Sequence, residues 1–490
     1  MPTPDRMPGP RPSVPPSARH RRPGGLALAL VAALPIALLV AACSGPSALE
    51  KCADCNVLLV SIDTLRASRL GCYGGPRPTS PGIDALAAES TLFANAAACS
   101  IHTADSHASI FTSTLPSVHE VTNAGSRTGF PLAPGIRTLA EVLSAAGFAT
   151  AGFHGGGNVS EIYGFGRGFD RYQMTERLDD ASDWVAGLEK RPFFLFAHTF
   201  HVHDPYTPTR ASLAALGIEP RADVEIDLDR LGGAAGAASF REVRDRFWAS
   251  IDQQDPEQAA YALALYDAEI LEVDRMVSRL VREVLRIAPR TIVILTSDHG
   301  EEFGEHGRFL HESFYQEVLH VPLVIRYPGR PGRRVTERVS LLDLAPTVLD
   351  ELGVPAPATF QGRSLGPALA GRANFPRLQV AERMSVEPAG EGLRPVAKRI
   401  AAAAYFGDEK AILQTADAAI ELYDLAADPR EERDLAPLDA VRRAAADAAL
   451  RRLLAGSDRF SAAIPRGPER EAVTLSPELE EQLRALGYLN

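Results

Sequence analysis

Asn56-Val-Leu-Leu-Val-Ser-Ile-Asp63 is a continuous apolar run that closes on a carboxylate, and Thr291-Ile-Val-Ile-Leu-Thr-Ser-Asp298 repeats the pattern far downstream. A run of strand length with no polar alternation describes a strand buried on both faces. Pro192-Phe-Phe-Leu-Phe-Ala-His198 reads as a third such strand, and Val321-Pro-Leu-Val-Ile-Arg326 as a fourth. Helical patterns lie between them at Pro81 to Ser90, Leu139 to Ala146 and Glu257 to Arg286. Buried strands alternating with helices predict an α/β fold, with a central, mostly parallel sheet sandwiched by helices. No repeat of 20 to 50 residues is visible.

Outward from this frame the character changes twice. From about residue 370, Lys398 to Leu425 reads as short strands, with Gly407-Asp-Glu-Lys410 as a turn between two of them. Pro429 to Leu454 is polar or helical, and Leu438 to Leu454 is an Ala-rich surface helix. The expectation is a main domain over 56–370. A smaller C-terminal subdomain, an antiparallel sheet plus helix, then follows over 371–490.

At the other end, residues 1–43 stand apart from the fold. A basic patch, Arg19 to Arg22, precedes the apolar run Leu26 to Val40. At about 15 residues that run is short for a membrane span and suits a signal peptide. Val40-Ala-Ala-Cys43 resembles a bacterial lipobox, which makes Cys43 the lipidated first residue of the mature chain and 44–55 a tether. An uncleaved N-terminal anchor is the alternative, and either exports the remainder to the cell envelope, on the periplasmic or cell-surface side. Cys52, Cys55, Cys72 and Cys99 remain, an even set that permits disulfides in an exported chain. Cys52-Ala-Asp-Cys55 has no second pair to complete a zinc site, so its reading is structural; the pairing stays open.

Composition narrows the function classes. The 490 residues are 46% hydrophobic and 23% charged, an ordinary globular balance, with a formal net charge of -11. A net negative chain with 7% aromatic residues and no basic stripe is not a nucleic-acid binder.

Ligands of open α/β sheets gather outside the carboxyl ends of the strands. Asp63 and Asp298 both stand there, and His299 follows directly, so two carboxylates and an imidazole converge on one rim. Such a set suits a divalent cation, and without one it is a costly cluster of like charge. The segment Cys99-Ser-Ile-His-Thr103-Ala-Asp-Ser-His107 reads as a loop entering a helix, with Thr103 near the N-cap. Such a helix start favours an anionic group, and a hydroxyl there, bound to a cation, can ionise and attack. The bland alternative is a capping threonine worth about 1 kcal/mol.

Several motifs together resemble the sulfatase family of the alkaline-phosphatase superfamily. They are Ser61-Ile-Asp63-Thr-Leu-Arg66, Ser106-His107-Ala-Ser-Ile-Phe-Thr112, His198-Thr-Phe-His201-Val-His203-Asp-Pro205-Tyr206, Thr296-Ser-Asp298-His299-Gly300-Glu-Glu-Phe-Gly304-Glu-His306-Gly and Val321-Pro322-Leu. Glu421-Leu-Tyr-Asp-Leu-Ala-Ala-Asp428-Pro429 and the closing Leu486-Gly487-Tyr488 resemble its C-terminal signature. The resemblance runs from about Asn56 to the end and implies an alkaline-phosphatase-like fold. It implies a hydrolase of sulfuric or phosphoric esters that uses a divalent metal ion (Ca, Mn or Zn). Asp63, Asp298 and His299 match the family's metal ligands, and Thr103 the nucleophile, itself a ligand. His203 and His311 stand where the family places substrate-oxyanion contacts or a leaving-group acid, and His107, counted with them among the catalytic residues, where many members have an arginine. The implied substrate is a small-molecule or glycan sulfate or phosphate ester, met by a lipid-anchored enzyme.

Three departures bear on the chemistry. Many sulfatases mature a cysteine or serine nucleophile to formylglycine, and threonine cannot follow that route. A threonine sulfate would have to be hydrolysed at sulfur, whereas phosphodiesterases and phosphoethanolamine transferases of this superfamily use threonine at phosphorus. Asp105 replaces a proline, so the loop is either looser or carries a further ligand. His201 replaces an aspartate, and His201 with His203 would suit a second zinc. Two rivals stand beside the hydrolase: a phosphoethanolamine-type transferase acting on envelope glycans, and a non-catalytic glycan-binding lipoprotein. Gly155 to Arg167 and Leu213 to Trp248 are the segments expected to choose the substrate.

Overall fold

The computed structural model describes residues 51–122, 128–189, 191–224, 240–372, 379–387, 396–465 and 473–474. The leader, the lipobox cysteine, the tether up to residue 50 and Leu486-Gly-Tyr488 lie outside them. Among the described residues no helix is long and apolar enough to cross a membrane.

The main sheet has nine strands: β1 (Asn56–Ile62), β2 (Thr91–Ala97), β3 (Ala149–His154), β4 (Arg171–Met174), β5 (Phe193–Thr199), β6 (Thr291–Thr296), β7 (His320–Val321), β8 (Leu323–Arg326) and β9 (Arg333–Ser340). Their spatial order is β7-β2-β8-β6-β1-β5-β3-β4, with β9 paired to β2. From β6 across β1, β5 and β3 to β4 every pairing is parallel. The proposed fourth strand exists as β8 but runs antiparallel to β6, so the sheet is mixed on that side.

The apolar runs sort by period two, as the pleat requires. In β1, Val57 and Leu59 enter one core while Leu58, Val60 and Ile62 enter the other. Likewise Phe194 and Phe196 of β5 oppose Phe193, Leu195 and Ala197, and Ile292 and Ile294 of β6 oppose Val293 and Leu295. Both faces therefore need helices. One face takes α1 (Pro81–Ala88), α4 (Asp179–Ala186) and the 32-residue α6 (Pro256–Ile287). The other takes α2 (Thr103–Thr112), α3 (Leu139–Ala145) and α7 (Leu344–Glu351). A further helix, α5 (Phe240–Ala249), precedes α6.

β10 (Val380–Glu387), β11 (Val396–Phe406), β12 (Glu409–Gln414) and β13 (Ile420–Asp424) form a separate antiparallel meander, followed by α8 (Ala440–Ala463). Gly407, at φ 67°, makes the turn between β11 and β12. Ala401 to Ala404 and Leu422 pack into the same apolar cluster as Phe93 and Leu344 of the main fold. Cys52 and Cys55 form a disulfide; Cys72 and Cys99 are free thiols.

Candidate active site

Parallel register sets the two acids side by side. Ser61 of β1 pairs with Thr296 of β6, and two residues further along each chain come Asp63 and Asp298. On the opposite flank of β1, Ser61 pairs with His198 of β5, and His198 Nε2 lies 3.2 Å from Asp63 Oδ2. The loops beyond these strands are strapped together. Leu65 N donates to Ser297 Oγ (2.9 Å), Thr64 N to Asp298 Oδ1 (3.3 Å), and Thr64 Oγ1 to Val202 O (3.0 Å). From α6, Tyr266 OH donates to Thr64 O (2.7 Å) and accepts from Arg66 N (2.9 Å).

α2 delivers the hydroxyl. Thr103 is its first residue, with His102 at the N-cap, one position from the expectation. Ser106 Oγ donates to Asp298 O (2.7 Å), pinning the first turn to the loop after β6. Thr103 Oγ1 then stands 3.5 Å from Asp63 Oδ2 and 3.4 Å from His299 Nε2. His299 Nε2 is 3.4 Å from Asp298 Oδ2. All four residues are buried.

The donor set fits a cation. Asp63, Asp298 and His299 each offer an atom within 4.8 Å of the others, and they are the one such group among the described residues. Asp63 Oδ1 and Asp298 Oδ2 are buried without a hydrogen-bond partner, an arrangement that costs free energy unless something positive meets them. Burial and the Asp298 charge push the Asp63 carboxyl up to about 6. Asp298, despite its own burial, is held low by His299, His107 and His198. His299 Nδ1 lies 3.0 Å from Gly300 O, so the proton belongs on Nδ1 and the Nε2 lone pair faces Thr103.

The remaining histidines divide. His311 packs against His299 at 4.4 Å between ring centroids with the rings tilted by 39°, its Nδ1 2.9 Å from Ile101 O. Burial and the neighbouring imidazoles hold it well below its ordinary pKa. His203 lies 5.7 Å from His311 and stacks at 4.2 Å on Phe200. Burial opposes its charge, yet the hydrogen bond and charge of Asp204 prevail and raise it to about 9, so it carries a proton at neutral pH. The structure thus brings His203 and His311 to the same mouth. His107, grouped above with the catalytic residues, lies beneath the site: Nε2 is 3.0 Å from Ser61 Oγ, Nδ1 2.9 Å from Thr103 O, and the side chain is fully buried. It supports the first turn of α2 from behind.

Two expectations change. His201 and His203 turn to different partners, His201 Nε2 to Glu272 Oε2 (2.9 Å) and His203 Nδ1 to Asp204, so they do not form a second zinc pair. Asp105 sits in a regular first turn of α2, buried beside Thr122 and His102, and is not among the cation donors. His198 and Asp204 carried no assigned role in the sequence reading. His198 had a usable signal, since it closes a buried strand at the same rim as Asp63.

A poised hydroxyl flanked by acids and imidazoles, at the edge where a doubly covered sheet presents its strand ends, is the layout of an α/β hydrolytic enzyme. Residues 55–354 match the family model for sulfatases, and residues 304–454 match that for the C-terminal region of N-sulphoglucosamine sulphohydrolase. The chain belongs to the sulfatase family and is by class a sulfuric ester hydrolase. It is 25% identical over 432 residues to the N-acetylglucosamine-6-O-sulfatase of Bacteroides thetaiotaomicron, covering 70% of this chain and 76% of that one. Its fold is similar to that of a protein solved in complex with its substrate D-glucosamine-2-N,6-O-disulfate (TM-score 0.65, 21% identity, 85% of this chain and 100% of that one). It is equally similar to the phosphonate monoester hydrolase of Agrobacterium radiobacter (TM-score 0.65, 21% identity, 83% and 96%).

Proposed function

We propose that the protein is a metal-dependent hydrolase of sulfate or phosphate esters in which Thr103 is the nucleophile. The observation that carries this reading is the Thr103 hydroxyl beside both Asp63 and His299. Asp63, Asp298, His299 and Thr103 Oγ1 would hold a divalent cation, which supplies charge to lower the hydroxyl pKa and to polarise a non-bridging ester oxygen. Thr103 Oγ1, its proton released to water, then attacks sulfur or phosphorus in line. The new bond forms at Oγ1 as the bond to the ester oxygen breaks, and His203 gives that oxygen a proton. Water next attacks sulfur or phosphorus, releasing the Thr103 hydroxyl and the inorganic acid. Threonine favours phosphorus, because its ester has no aldehyde-hydrate exit; the family membership favours sulfur.

The substrate class proposed is an anionic glycan ester, as the relatives' names suggest, met by an enzyme lipid-anchored at Cys43 in the cell envelope. Loss of labelled-lipid incorporation in Cys43→Ser is the expected result; unchanged labelling removes the anchor assignment. For the chemistry, aryl sulfate, phosphate monoester, phosphodiester and phosphonate substrates are tested with Ca²⁺, Mn²⁺ or Zn²⁺, with and without an acceptor alcohol. Thr103→Ala should lower kcat by roughly a thousand-fold or more on every substrate turned over. Full retention excludes Thr103 as nucleophile, and product found only on the acceptor reassigns the enzyme as a transferase.

A further inference from the structure

The acid that serves the leaving group does not stand alone, and what holds it comes from a segment with no catalytic motif. Asp204 is almost wholly buried, and His203, Arg244 and Trp248 all contact it. His203 Nδ1 lies 2.9 Å from the Asp204 backbone carbonyl oxygen and 3.0 Å from Asp204 Oδ1, while Oδ2 accepts from Arg244 Nε (2.5 Å) and Trp248 Nε1 (2.7 Å). Arg244 and Trp248 are one turn apart on α5, so they share a face. Phe247 of the same helix is buried against Tyr206, ring centroids 5.7 Å apart. Trp248 also packs edge-on against Phe309 at 5.8 Å, two residues before His311. One short helix thereby touches the segments that carry both histidines of the mouth.

We infer that α5 is a positioning element for the leaving-group acid, with Arg244 and Trp248 fixing the Asp204 carboxylate so that it orients His203. The inference rests on His203 being that acid, as proposed above. Two donors on Oδ2 remove the carboxylate's rotational freedom and keep Oδ1 at ion-pair distance from the imidazole, beside the carbonyl oxygen of the same residue. Arg244 also balances a carboxylate that would otherwise be an uncompensated buried charge when His203 gives up its proton.

The test compares an activated ester, 4-nitrophenyl sulfate, with one that needs protonation, N-acetylglucosamine 6-sulfate (or the corresponding phosphates), using the metal-loaded full chain. His203→Ala should lose about a hundred-fold or more on the sugar ester and far less on the nitrophenyl ester. Trp248→Phe and Arg244→Gln should each lose about ten-fold on the sugar ester alone, with metal content and melting temperature retained, and Arg244→Lys should recover part of the loss. Equal losses on both esters, or none, in the α5 variants overturn the inference while His203→Ala still separates the esters. If His203→Ala fails to separate them, the acid assignment falls, and the inference with it.

Discussion

A methyl group at Gly300 would stand 2.1 Å from Glu317 O, a backbone atom that cannot step aside. The close approach exists because Gly300 N donates to Val318 O (2.7 Å) directly after the Asp298-His299 pair, while Gly300 O holds the His299 ring. Gly300→Ala should therefore push the loop outward, cost about 1–3 kcal/mol of stability and weaken cation binding by turning His299. Calorimetric titration with Ca²⁺ or Mn²⁺ beside thermal melts checks this; unchanged affinity means that His299 is not a ligand. The residues of this site differ in how far they were readable. Asp63 and Asp298 stand at the ends of unbroken apolar runs, so the strand rule alone placed them at one rim. Thr103 was placed by the family's spacing and found one residue inside the helix. Arg244 and Trp248 sit in an unremarkable amphipathic stretch, and their target is a single aspartate far away in sequence. No local pattern marks such a pairing.

The long helix α6 reaches the turn after β1 through Tyr266. Tyr266 OH satisfies a carbonyl and an amide of the turn that follows β1, at Thr64 and Arg66. Thr64 there adopts φ 53°, a left-handed conformation that needs support in a residue other than glycine. Tyr266→Phe keeps the ring packing and leaves two buried backbone groups without their partner. The expected cost is about 1–3 kcal/mol, read as a lower melting temperature together with a lower kcat, since Asp63 adjoins that turn. A melt and turnover both like the parent would show that the turn holds itself. Helices with a clean apolar stripe, this one included, were legible to within a residue or two. The strands of the mixed side were less so. β9 reads Arg333-Arg-Val-Thr-Glu-Arg-Val-Ser340, a charged sequence whose pairing with β2 is fixed by its neighbours and not by its own apolar content. The antiparallel direction of β8 likewise depends on the short return through His320 and Val321, which composition does not reveal.

The small C-terminal sheet is joined to the chemistry at the scale of the whole molecule. Glu382 of β10 donates its backbone N–H to Cys99 O, and its carbonyl accepts from Ser100 Oγ (2.9 Å), three residues before Thr103. Its buried carboxylate takes Ser117 N (2.8 Å) and Arg399 Nε (2.8 Å), tying the loop after α2, β10 and β11 into one polar junction. Further along, Gln316 N donates to Glu431 Oε2, and the fully buried Lys410 lies 2.6 Å from Glu431 Oε1. Because the meander shares its apolar cluster with the main sheet, its removal would expose both sides of one core. Composition sets 371–490 apart as a subdomain packed on the main sheet, and its strands share one apolar cluster with that sheet. Glu382→Ala should thus cost about 1–3 kcal/mol, from leaving Ser117 N and Arg399 Nε without their buried acceptor while Arg399 keeps Asp458 at 2.7 Å, and should lower kcat by loosening the approach to Thr103. The melt should stay a single transition, displaced as a whole. Two separate transitions in the parent enzyme, or a Glu382→Ala variant with its melting temperature and kcat intact, would mean that the C-terminal sheet folds on its own account and leaves the loop before Thr103 to support itself.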